Sequence, residues 1–433
     1  RNALKIEDIR KKLIFTFLML VVVRFGSQLP IPGANRDYFQ AWFAQQTGDA
    51  FNFFDAFTGG SFTSMSLFAL GITPYITSSI IVQLLTIAIP KLEEMQKDGE
   101  DGRKKIQTIS RYLTVALALI ESIAMTVGFG SRGLLAANTI PNKIVVIAAM
   151  TAGSAFLMWI GEEITEHGVG NGISIVLLIN IVSRIPDDFV TLFDQFMKGQ
   201  TILNAVVAAV VIIAVVLVTV VFVIFLQDGE RRIPVQYAKK MQGRKMVGGQ
   251  STNIPLKVNT AGVIPVIFAS SLMSFPNVIA SLLGKTGGTG IGSKIMTGLS
   301  QSSWCDPSRP IYSLGLVLYI VLVVFFAYFY TSITFNPIEI SNNMKRQGGF
   351  IPGIRPGKPT TEYLSRILNY IVFIGAVGLI IVCVIPIFFN GMFGANVSFG
   401  GTSIIIIVGV VLETLKQIES QMLVRYYKGF LND

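Results

Sequence analysis

The sequence predicts an all-α polytopic membrane protein, with ten transmembrane helices arranged as two inverted five-helix repeats. Three observations carry this prediction. Apolar residues make up 52% of the 433-residue chain and charged residues 14%, against roughly 25% charge in soluble proteins. Apolar runs of membrane-crossing length recur from end to end. One such run, Gly59 to Pro90, is interrupted: Gly59, Gly60, Ser61, Thr63, Ser64 and Ser66 dot its first part, and Gly71 and Pro74 break it. Irregular backbone at membrane depth must be buried in protein or line a watery cavity, because lipid cannot satisfy its N–H and C=O groups. The run therefore reads as a short re-entrant helix over about residues 60–70 that caps a pore, then a pore-lining helix over about 74–89.

The elements follow in order. The opening RNALKIEDIRKK is basic, with Leu4, Ile6, Ile9 and Leu13 apolar, and is expected to lie on the membrane surface. Spans are predicted at 13–32, 74–89, 112–129, 144–160, 173–185, 203–226, 261–283, 312–333, 367–389 and 402–422. The first continues to Pro32 without a small-residue cleavage site, so it reads as a span and not a signal peptide. An even number of spans puts both termini on one side. That side holds 26 of the 35 Lys and Arg residues, 8 fall opposite, and Arg24, inside span 1, is expected to snorkel outward. The positive-inside rule then places both termini in the cytosol. The loop GEEITEHGVGNG has no Lys or Arg but is short.

The two halves, 1–185 and 203–422, look related. Pro74 precedes Ile76 by two residues in span 2, as Pro265 precedes Ile267 in span 7, and small hydroxyl residues follow both. Spans 5 and 10 share short apolar cores. Broken or short segments at matching positions of inverted repeats mark the working site of a transport fold. Chance similarity among apolar helices is the competing explanation.

Little here suggests catalysis. The chain has one histidine, His167, and two cysteines, Cys305 and Cys383, in a predicted loop and a predicted helix. Neither metal or triad chemistry nor a disulfide framework is expected. Nucleotide-binding, zincin and nucleophile-elbow motifs find no credible context, and Asp98-Gly-Glu-Asp101-Gly is too sparse for an EF-hand. The chain is expected to be no enzyme and to need no cofactor. The inner parts of spans 2, 5, 7 and 10 carry no ionisable group, whereas an ion-coupled carrier normally keeps one at the midplane. Ile76 and Ile80 share a helix face, as do Leu177 and Ile181. A ring of such side chains resists water and ions by dewetting and offers no hydrogen bonds a moving chain must match. Taken singly, each is better read as a lipid-facing or core residue. Glu121 inside span 3 has two readings, a functional intramembrane carboxylate or one bonded to a neighbouring helix. The cytosolic loops 227–259 and 334–362 are basic, Gly/Pro-rich and long. Arg355 sits at a pre-formed turn suited to an acidic groove on a partner, although such loops can also serve topology alone. The net charge of +10 suggests anionic lipid, nucleic acid or acidic protein as partners. A carrier for a small apolar solute is the rival class, and an interaction scaffold with no conduit a third.

Several stretches in order resemble one known family: FALGITPYITSSIIVQLL (68–85), GVGNGISI (168–175), STNIPLKVNTAGVIPVIFASS (251–271), GIRPG (353–357) and FGGTS (399–403). The chain resembles the SecY family of channel subunits of the bacterial protein translocase over essentially its full length, close to its Gram-positive form. The resemblance implies a clam-shell of two five-helix halves around a central hourglass pore in the cytoplasmic membrane. Its pore ring would be Ile76, Ile80, Leu177, Ile181, Ile267 and Ile406, with Leu177 departing from the isoleucine common in bacterial relatives. Its plug would comprise Gly60, Ser61, Phe62, Thr63, Ser64, Met65, Ser66 and Leu67, continuing to about Leu70. A lateral gate between spans 2 and 7, flanked by 3 and 8, would include Pro74, Ile81, Glu121, Ser271 and Phe275, the last two at positions that tune signal-sequence selection. Arg244, Lys245, Arg355 and Lys358 would dock the SecA motor or the ribosome. SecE and SecG would be membrane partners, signal peptides and nascent polypeptides the cargo, and SecA the ATPase. Residues and resemblance together imply a passive, gated conduit.

Overall fold

The computed structural model describes residues 6–45, 55, 58–98, 100–130, 133, 135–198, 202–237, 240–242, 245–247, 251–282, 291–300, 303–305, 307–393 and 401–429. In the first half the helices are α1 (Glu7–Gly26), α2 (Arg36–Gln45), α3 (Thr73–Ala88), α4 (Pro90–Lys97), α5 (Glu100–Phe129), α6 (Ile140–His167) and α7 (Gly172–Phe196). In the second half α8 (Ile202–Asp228) leads into strands β1 (Glu230–Tyr237), β2 (Lys240–Gln242), β3 (Lys245–Val247) and β4 (Ser251–Lys257). These are followed by α9 (Ile264–Leu282), α10 (Ile291–Gly298), α11 (Leu314–Thr334), α12 (Pro337–Arg346), β5 (Gly349–Phe350), α13 (Lys358–Phe393) and α14 (Gly401–Gly429). Every predicted span overlaps a helix. Among the described residues five helices are by themselves long and apolar enough to cross a membrane, and α3 with α4 forms a broken pair bent by 108°. The break falls at Ile89–Pro90, where proline opens the second helix.

The helices pack through small and hydroxyl residues, as expected where lipid gives apolar side chains no reason to prefer protein. α3 buries Pro74, Ser78, Val82 and Thr86, spaced four apart. This face meets α5, where the Ser78 hydroxyl donates to the Ser110 carbonyl at 2.7 Å. Ser122 of α5 and Thr151 of α6 bond at 3.1 Å. The acidic end of α6 is balanced from α5: Arg111 pairs with Glu162 at 2.8 Å, so the stretch that lacked basic residues in sequence finds one in space. α7 starts at Asn171, whose Oδ1 accepts from the N–H groups of Ile173 and Ser174.

Among the described residues five apolar clusters result, of which three bear on the site. One lies within the first half, built from α2, α5, α6 and the 62–70 segment around Phe39, Met65, Leu70 and Met150. A second lies within the second half, around Val266, Tyr319, Val382 and Ile405. The third joins elements of both halves.

Four expectations need correction. Residues 60–70 are a run of turns and not a helix. Gly59 and Gly60 take φ of 65° and 82°, and Met65 takes 45°. The Ser64 hydroxyl also donates to the Gly60 carbonyl at 2.7 Å. Left-handed backbone and hydroxyls bonding nearby carbonyls both compete with helix. Span 1 ends at Gly26 and not at 32, and its basic opening is no separate element, since from Glu7 onward it is the first turns of α1. Beyond Gly26 the chain bridges back, Pro30 pairing with Ser66. Arg24 does not snorkel outward. It is half-buried and donates to the Gly59 carbonyl at 3.4 Å.

The long loops hold more order than their glycines and prolines suggest. β1 pairs antiparallel with β4 over seven residues and with β5 over two, so loop 227–259 and loop 334–362 share one sheet of order β4-β1-β5. Ile233 and Val235 alternate inward with Leu256, Met344, Ile351, Leu364 and Ile367 into a separate small core. Pro234 lies beyond the reach of the two-residue β5, so its missing N–H leaves no ladder bond unmade on that side.

Candidate functional site

The third core is the candidate site. Leu177 and Ile181 project from α7 and Ile406 from α14, all buried in one cluster, and Ile76 of α3 and Ile267 of α9 pack half-buried against that cluster. Four helices, two from each half, thus bring five of the six predicted ring residues into one apolar cluster. Ile80 is half-buried but lies one turn further along α3 and is not in this cluster. The orientation follows from α3 itself. With Pro74, Ser78, Val82 and Thr86 committed to α5, the isoleucines two residues out of phase face another way.

The 58–72 segment sits on this cluster, contributing buried Phe68 and Ile72 and half-buried Leu67. Ser61, Phe62, Met65 and Ser66 are buried as well, and Gly60, Thr63 and Ser64 are half-buried. The segment is held from several sides. The Leu67 N–H donates to the Leu29 carbonyl at 2.8 Å and the Ile31 N–H to the Met65 carbonyl at 3.0 Å. The Ser154 hydroxyl of α6 reaches the Gly71 carbonyl at 3.2 Å. Arg24 of α1 reaches Gly59. Asp55 pairs with Arg184 of α7 and accepts the Thr63 N–H at 2.9 Å. Sequence reading did not single out Asp55. The available signal was an acid in the apolar stretch before Gly59, which costs too much to keep there without a partner.

Of the predicted gate residues, Pro74 is buried and Ile81 half-buried on α3. Glu121 is half-buried on α5, its Oε2 without a hydrogen-bond partner among the described residues. Ser271 and Phe275 lie on α9, but their side chains fall outside the described set. α9 packs against α5 as well as against α11 of its own half, so the seam between halves involves span 3 directly. Of the predicted docking residues, Arg355 is exposed between Gly353 and Gly357, which take φ of 83° and 103°. Its carbonyl accepts the Thr360 hydroxyl at 2.9 Å, and Ser341 donates to Gly357 at 2.9 Å, which pins the turn. Lys358, exposed, opens α13. Lys245 lies on β3, its side chain outside the described set, and Arg244 lies outside the described residues altogether. Among the described residues no group of His, Cys, Asp or Glu is placed to hold a metal ion.

Comparison with known proteins agrees with this architecture. The SecY family model matches residues 66–415. Protein translocase subunit SecY of Halalkalibacterium halodurans is 43% identical over 99% of this chain and 98% of its own length. Its counterpart in Streptomyces galbus is 45% identical at the same coverage. Among solved structures, a protein-conducting channel superposes with TM-score 0.64 at 20% identity, covering 96% of this chain and 93% of that one. Sec61 in the canine ribosome-channel complex from the endoplasmic reticulum superposes at 0.60 and 19% identity, covering 96% and 93%. Those structures share the fold, and the sequence relatives settle the rest: the chain belongs to the SecY family.

Proposed function

We propose that this chain is the channel-forming subunit of a protein translocase, which passes unfolded secretory polypeptides across the cytoplasmic membrane and releases transmembrane segments sideways into lipid. The observation that carries the reading is the apolar cluster of Ile76, Leu177, Ile181, Ile267 and Ile406, drawn from both halves and covered by the 58–72 segment. A collar of branched side chains makes no hydrogen bond that selects sequence, and it excludes water when nothing occupies it. The halves 1–185 and 203–422 act as the two shells, and residues 60–70 act as the plug. The seam lined by Pro74, Ile81, Glu121, Ser271 and Phe275 acts as the lateral exit. Both termini and the β1–β5 platform lie in the cytosol, where Arg355, Lys358, Arg244 and Lys245 receive the SecA motor or the ribosome. SecE and SecG are the membrane partners. Energy comes from the motor or from chain elongation, and the chain itself performs no catalysis.

The test is reconstitution with SecE and SecA in proteoliposomes. A signal-bearing substrate becomes protease-protected in the presence of ATP. Protection that is equal without this chain would remove the assignment.

A further inference from the structure

The plug is fastened at its leading edge by an ion pair whose acid is buried and whose Arg184 side chain is 23% exposed. Asp55 is 1% exposed and pairs with the Arg184 guanidinium of α7. The same carboxylate accepts the Thr63 N–H at 2.9 Å, and the Asp55 carbonyl accepts from the Gly60 N–H and the Thr58 hydroxyl, each at 3.1 Å. One residue thus organises the first turns of the segment and ties them to α7. Arg184 follows the ring residue Ile181 by three positions, so collar and anchor share one helix. Gly59 closes the contact. A Cβ there would lie 2.9 Å from the Asn180 backbone and 3.0 Å from the Arg24 guanidinium. Buried Asn180 therefore lies beside the same glycine that Arg24 reaches.

We propose that the Asp55–Arg184 pair is the latch that holds the plug closed, making both side chains positioning residues that set how strong a signal sequence must be to open the conduit. This rests on the reading of residues 60–70 as the plug. Two charges are costly to bury, but a single one is far costlier. While both are present the closed state satisfies them together. Remove the Arg184 charge, and the buried Asp55 carboxylate is best satisfied where water reaches it, which requires the segment to leave α7; remove the Asp55 charge, and the segment loses its ionic tie to α7. Neutralising either partner therefore favours the open state, and neutralising both relieves much of that bias. The two substitutions must be strongly coupled.

Purified D55N, R184Q and D55N/R184Q channels, with a channel lacking residues 60–70 as control, are compared for resting ion conductance per folded complex. Export of a reporter with a shortened signal-sequence core is measured alongside. A purely structural role would lower the yield of folded complex without changing conductance per channel. The expected result is a rise of at least about tenfold in both readouts for each single variant, and a rise in the double variant well below the product of the two. Wild-type conductance in both single variants, with a leaking control, overturns the latch and leaves the plug reading standing. Independent, multiplying effects also overturn it. A control that does not leak overturns both. Should D55N not fold, R184K keeps the charge, loses the guanidinium fork, and carries the same test with a smaller expected rise.

Discussion

At the scale of single residues, the collar tests the conduit most directly. Ile76 and Ile267 come from opposite halves, and both pack against the buried cluster that holds Leu177, Ile181 and Ile406. Replacing Ile76, Ile80 and Ile267 with Ser removes the apolar surface that makes the constriction dry, so resting ion conductance should rise in single-channel recordings. Unchanged conductance would show that the ring is misassigned. The Ile80 single variant should contribute least, since Ile80 stands apart from the cluster. The spacing of these residues was legible in sequence, because a four-residue interval fixes a shared helix face. Which face turned toward the other half was not. That depended on Pro74, Ser78, Val82 and Thr86 being taken by α5, a tertiary fact. Arg24 was misread for a similar reason. Its place near the outer end of span 1 suggested a head reaching water, whereas the Gly59 carbonyl offers a partner inside the protein.

At the scale of elements, the 60–70 segment shows how far sequence carries and where it stops. Its glycines and hydroxyl residues announced an irregular stretch, and the structure has one, but a short helix was the wrong irregularity. Gly71 takes φ of 59°, and a Cβ there would lie 2.9 Å from the Thr58 side chain. Gly71→Ala should therefore cost about 1–2 kcal/mol from the left-handed backbone alone, loosening the turn before α3. Thermal unfolding of the purified complex should shift downward, and an unchanged midpoint would argue against this geometry. The β platform was legible only in part. Alternation over Arg232–Tyr237 was present, yet glycine and proline around it suggested loop. Pairing to residues more than a hundred positions away has no local sign. Val235 is fully buried in the platform core. Val235→Asp should cost about 3–5 kcal/mol there, exposing the loops to limited proteolysis while the membrane helices remain intact. Equal protease resistance would show that the platform core contributes little.

At the scale of the whole molecule, the prediction concerns what drives transport. Arg355 is exposed on a turn pinned by Ser341 and Thr360, so its position does not depend on a partner. Arg355→Glu inverts the charge without touching a buried group. Motor-driven translocation should fall to near background while the complex assembles and melts as before. Normal export by that variant would remove the docking role. The overall architecture was the most legible level of all, since hydropathy, charge asymmetry and broken spans are written along the chain. The partnership between halves was less so, because contacts such as α5 with α9 join residues far apart in sequence.

β1 lies between β4 and β5, and those two strands lead directly to α9 and α13. A push delivered at the Arg355 turn thus enters a hydrogen-bonded ladder instead of a loose tether. Seven cross-strand pairs resist sliding between β1 and β4. Force applied at one tip is divided between two helices of the second half at once, so a partner docked there as proposed would act on both through a single yoke.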